Sequence, residues 1–129
     1  MRVQRVITLA LINILALTTS ASAACLTGDQ EGQVVEGRLK TYVKPPSGSK
    51  KTGPRRRFIL TPPAPACMDS GGSVTNSSTI EVYALDDAIR AKLLQFAGHR
   101  VVVHGTPRPQ SRPHHEAPIT MVVSDIQRR

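Results

Sequence analysis

The chain has 129 residues, with 17 Lys and Arg against 9 Asp and Glu, a formal net charge of +8, and only two Tyr and two Phe with no Trp. That length supports one domain with a modest core. The chain has no Cys-x-x-Cys for redox chemistry, no H-E-x-x-H or spaced Cys/His set for a metal, and no G-x-S-x-G for acyl transfer.

Residues 1–24 read as a secretory signal. Arg2 and Arg5 form a positive n-region, Val6 to Leu17 an apolar run, and Ala21-Ser22-Ala23 a small-residue cleavage motif. The apolar run is 12 residues, against the roughly 20 that a membrane-spanning helix needs. No other window is apolar enough, so the mature chain is expected to be soluble, without a transmembrane segment, and periplasmic or secreted. Cys25 falls at the cleavage site, which raises lipoprotein anchoring as a minor alternative. A lipobox resembles Leu-Ala-Gly-Cys, and Ser22 stands where a bulky aliphatic is usual, so ordinary cleavage near Ala23 or Ala24 is favoured.

Cleavage before Cys25 leaves a single domain over residues 25–129. Without Arg2 and Arg5 the 17 basic residues become 15 against 9 acidic ones, a net of +6. Cys25 and Cys67 permit one intramolecular pairing, and a structural disulfide is expected in an oxidising envelope. Free or intermolecular thiols, or a lipidated Cys25, are the alternatives.

Gln33 to Val43 alternates as a half-buried strand, with Val35, Gly37, Leu39, Thr41 and Val43 on one face and Gly37 as a bulge or bend. A basic, flexible loop over 44–57 follows, holding Lys44, Lys50, Lys51, Arg55, Arg56 and Arg57 and no acid; these six equal the mature surplus. Phe58 to Thr61 reads as a second strand. Asp69 to Ser73 reads as a flexible, turn-rich stretch, and Thr79 to Tyr83 as a third strand. From Leu85 to Ala97 the period changes to a helix, with Leu85, Ile89, Leu93 and Phe96 on one stripe, Asp86 and Asp87 at its start and Gly98 as its cap.

Arg100 to His104 and Ile119 to Ile126 then form a hairpin around a long connection, Thr106 to Glu116. In it Val101 and Val103 share one face, as do Ile119, Met121 and Val123, and His104 pairs near Ala117. The chain is therefore mainly β with one helix. A small five-stranded OB-like barrel with the helix between strands three and four is expected, and a five-stranded sheet packed on one helix is the alternative.

Cys25-Leu26, Val34-x-x-Gly37-x-Leu39, Phe58-Ile59-Leu60, Cys67, Gly98-x-Arg100-Val101-x-Val103-x-Gly105, His114-His115 and Pro118 together resemble the exported bacterial domain-of-unknown-function family 4431. The resemblance implies a small extracytoplasmic, OB-like domain and carries over no activity. This chain departs from the family pattern at Pro107 to Pro113, where an aromatic or apolar residue and a Thr are usual, and in its more basic first loop.

In an OB barrel the two long loops flank one binding face. Lys50, Lys51, Arg55, Arg56 and Arg57 from the first, with Arg108, Arg112, His114 and His115 from the second, form the candidate ligand-binding set. The partner expected is an envelope protein or an anionic glycan or lipid head group; a solvated loop that only aids solubility is the plainer account. Nucleic acid is disfavoured, because base stacking needs aromatics and Phe58 and Phe96 read as core. His104, His115 and Glu116 invite a metal reading, but adjacent histidines rarely serve one site, so no metal and no cofactor are expected. No poised acid pair or nucleophile with a base is visible, so no catalytic residue is assigned. A non-catalytic, monomeric binding module of the envelope is the expectation, and an inhibitor or immunity-type protein blocking one envelope enzyme is the alternative.

Overall fold

The structure, a computed structural model, describes residues 25–44, 55–109 and 117–129. The leader, Lys50, Lys51, Arg112, His114 and His115 lie outside the described residues. The elements are β1 (Leu26–Thr27), β2 (Gln33–Lys44), β3 (Arg55–Thr61), β4 (Ala66–Ser70), β5 (Ser73–Ser77), β6 (Ile80–Tyr83), α1 (Asp87–Phe96), β7 (Arg100–Pro109) and β8 (Ile119–Arg128). Five of them close a barrel in the order β2-β3-β6-β8-β7, while β1, β4 and β5 form a separate small sheet. With α1 between the third and fourth barrel strands, this is an OB-type barrel.

Closure depends on β2. Its first half pairs with β7 from Gln33–Gly105 to Arg38–Arg100, and its second with β3 from Arg38–Thr61 to Lys44–Arg55. Gly37 lies at the exchange of partners, where an added Cβ would stand 2.5 Å from the Thr61 carbonyl oxygen. Glycine is required here for close backbone approach. Leu39, Phe58, Leu60, Ile80, Val82, Val101, Val103, Ile119, Met121 and Ile126 fill the interior. Leu93 from α1 and Met68 from β4 join them, both fully buried.

The helix is shorter than its apolar stripe suggests. Asp86 is its N-cap, and its Oδ1 accepts from the Ala88 and Ile89 amides at 2.6 and 3.3 Å. The cap satisfies two of the helix's orphan donors and fixes the start. Leu85 therefore precedes the helix and is 78% exposed, while Ile89, Leu93 and Phe96 pack inward as expected.

Four expectations are corrected. Arg55, Arg56 and Arg57 are not loop residues but the first half of β3, paired with Lys44, Val43 and Tyr42. The stretch around Asp69 to Ser73 is a β4–β5 hairpin, turned by Gly71 and Gly72 at φ of 59° and 87° and tied by Asp69 Oδ1 accepting from the Gly72 amide. Positive φ at both turn positions matches the twist of a two-residue hairpin. Thr41 and Val43 do not continue the inner face into the core; both are exposed, because β2 and β3 run past the end of the barrel as a two-stranded ribbon. Finally, His104 lies opposite Asp125 rather than near Ala117, since β7 extends to Pro109 and pairs there with Ile119.

That last extension runs through two prolines for a physical reason. The Pro107 carbonyl accepts from the Asp29 amide at 2.7 Å, so this residue turns its ladder groups away from β8. Its missing N–H, and that of Pro109 two residues on, costs the β7–β8 ladder nothing.

Candidate functional site

Strand alternation sorts the candidate cations. Leu39 and Leu60 are cross-strand partners and face inward, so Tyr42 and Arg57 face the outer wall and Val43 and Arg56 the opposite face of the ribbon. Arg56 and Arg57, though adjacent, do not act on one ligand face. Register runs Ile59–Glu81–Thr120–Arg108 across β3, β6, β8 and β7, which places Arg108 on the same outer wall as Arg57. In the closed barrel β2 lies between β3 and β7 and pairs with both.

Arg57 is committed internally. Its Nη1 donates to Glu81 Oε1 at 2.6 Å, and the two side chains are 17% and 4% exposed. Glu81 points outward from β6 yet is buried, flanked in sequence by the core residues Ile80 and Val82. An acid between two core residues was the signal in the sequence for a buried charge that needs a cation, but which cation was not readable. Arg57 Nε is buried with no hydrogen-bond partner among the described residues. Replacing Arg57 by Met is expected to lower the unfolding free energy by about 3 kcal/mol, by removing one partner of the buried carboxylate. Adding Glu81→Leu should recover most of that loss. Urea unfolding of the two single variants and the double variant measures the coupling, and purely additive losses would exclude it.

Arg108 and Arg56 are the described candidates still exposed, and neither has an ion-pair partner among the described residues. Thr120, fully buried, donates its Oγ1 to the Arg108 carbonyl at 3.1 Å and so fixes the backbone from which that guanidinium extends. Beside Arg108 lies a groove of about 590 Å³ that Leu85, Thr106, Val122, Ser124 and the Glu31–Gly32 turn complete. It offers one cation, one carboxylate, two hydroxyls and an apolar wall.

Cys25 and Cys67 form the expected disulfide, with Cα atoms 4.7 Å apart, next to the parallel β1–β4 pairing at Leu26–Met68. No group of three or more His, Cys, Asp and Glu able to hold a metal ion occurs among the described residues. No helix among them is long and apolar enough to cross a membrane.

No protein-family model matches the chain, and no curated protein matches it in sequence. Among solved structures it is similar to a small single-stranded DNA-binding protein from Streptomyces coelicolor, with 19% identity and a TM-score of 0.42 over 75% of this chain and 92% of that one.

Proposed function

We propose that the chain is an exported, non-catalytic, monomeric binding module that recognises an anionic macromolecular ligand of the bacterial envelope. It does so on the barrel face flanked by the β2–β3 and β7–β8 connections. The observation that carries this reading is the acid-free stretch Lys44 to Arg57, with six cations, which begins and ends in the ribbon where β2 and β3 leave the barrel. Arg108 adds a cation at the start of the second connection. The Cys25–Cys67 bond supports an oxidising compartment, and the resemblance to family 4431 belongs to the same proposal.

Retention on a sulfated-glycan column tests it. The variant Lys50→Glu, Lys51→Glu, Arg56→Glu, Arg108→Glu is expected to elute at clearly lower salt than the parent, with its thermal midpoint within about 2 °C. Arg57 is left alone because it belongs to the fold. Equal elution of the two would reject the basic face.

The exposed Leu85 beside the groove favours the inhibitor or immunity-type reading as a second one, since such proteins bind through an apolar anchor. Binding to a captured enzyme would then be lost with Leu85→Asp and be nearly insensitive to salt.

A further inference from the structure

We infer that the outer edge of β2 at Thr41 and Val43 is an open strand slot that accepts an extended acidic peptide by β-addition. The inference names the partner class of the basic face and rests on that reading.

The slot follows from register. β7 covers β2 only from Gln33 to Arg38, after which the edge is closed for one residue more by the chain entering β7. There the Leu39 amide donates to the His99 carbonyl at 3.0 Å and the Leu39 carbonyl accepts from the Gly98 amide at 2.7 Å. Leu39 thus turns both ladder groups away from β3. Alternation then turns those of Thr41 and Val43 the same way, and no backbone group among the described residues meets them. From Lys40 to Lys44 the vacant edge spans about 17 Å, enough for five residues of an added strand.

The side chains along the slot select its occupant. Val43 is 52% exposed on one face and Tyr42 44% exposed on the other. Arg38, Lys40 and Arg56 are exposed, and residues 38–44 and 55–57 contain no acid. A second copy would set these cations against their own kind, which opposes pairing. An acidic strand meets them favourably. Tyr42 is the one well-exposed aromatic residue here, too few for the successive stacking that a single-stranded nucleic acid uses.

A residue bonded directly opposite Val43 shares its face, so in a peptide of alternating Val and Glu the valines meet Val43 and aim their N–H groups at β2. The glutamates then lie over Lys40. Anisotropy of labelled acetyl-Glu-Val-Glu-Val-Glu-Val-Glu-amide on the oxidised chain reads this out. N-methylation of the valines should weaken binding by about tenfold or more, and N-methylation of the inner glutamates by less than about threefold. The protein variant Val43→Pro, which removes one open N–H without touching the β3 ladder, should reproduce the first loss.

Equal effects of the two methylation patterns would overturn β-addition and leave anion recognition standing. Binding of a sulfated glycan or of oligothymidylate in place of the peptide would do the same. Self-association of the free chain that Val43→Pro abolishes would make a second copy the occupant and overturn the inference. Failure of every one of these anions to bind would overturn the underlying functional reading as well.

Discussion

Removing the Cys25–Cys67 bond, by reduction or by Cys25→Ser with Cys67→Ser, is expected to lower the unfolding free energy by about 4 kcal/mol. The bond closes a loop with a sequence separation of 42, and in the chain-entropy model a loop of that size gives this figure. Otherwise the first strand is held by Leu26 packing against the core, by the Thr27 amide donating to Gln33 Oε1 at 3.3 Å, and by a short ladder. β1 is two residues long and pairs with β4 only at Leu26–Met68 and Thr27–Asp69. Two further backbone bonds follow it, from the Gly28 amide to Asp69 and from the Asp29 amide to Pro107. Without the bond these contacts must offset the freedom of the segment alone. The barrel does not include β1, so closure should persist in the reduced protein. For a domain of this size the change corresponds to a fall in melting temperature of roughly 15–30 °C. Urea unfolding of the oxidised, reduced and double-Ser proteins checks it; a shared midpoint would mean that the bond adds nothing to stability.

What the sequence disclosed depended on contrast between neighbouring residues. The valine run 101–103 is bounded by Arg100 and His104, Ile119 and Met121 are separated by Thr120, and their strands are where the pattern puts them. β5 carries no such contrast. Ser73 to Ser77 has one apolar residue, Val74, and it is 56% exposed, so the stretch reads as a loop although it forms a full hairpin partner for β4. Three consecutive arginines likewise give no period, and only the register with Tyr42, Val43 and Lys44 reveals them as a strand.

The site was readable to the same degree. Its charge was visible, because Lys44 to Arg57 holds no acid. Its division was not: alternation sends Arg56 and Arg57 to opposite faces, and the long-range neighbour Glu81 takes Arg57 out of any ligand set. The open edge beside Thr41 and Val43 is a property of partner lengths, since β2 is longer than the part of it that β7 covers. No local pattern encodes that.

Gly105→Ala should cost about 3 kcal/mol or prevent folding, against about 1 kcal/mol for Gly98→Ala. The contrast opposes the usual expectation for glycines, because Gly98 has the positive φ, 86°, and Gly105 does not. Gly98 has nothing within 4 Å of an added Cβ, so its penalty is conformational alone. A Cβ on Gly105 would overlap the Val122 carbonyl oxygen and lie 3.2 Å from Met121 Cγ. The obstacle is backbone, held from both sides. Gly105 pairs with Gln33 across one edge of β7 and with Val123 across the other, at the point where the β7–β8 register shifts and Ser124 is passed over. Ser124 Oγ donates to the His104 carbonyl at 3.1 Å and ties the irregularity down. Relief would require β8 to move outward, and β8 carries Met121, Val123 and Ile126 into the core. The added methyl would therefore loosen the seam that joins β7 to β8, whereas at Gly98 it would strain one turn. Denaturant midpoints of the two variants measured side by side decide the matter, and equal losses would show that the β7–β8 contact yields to a methyl group.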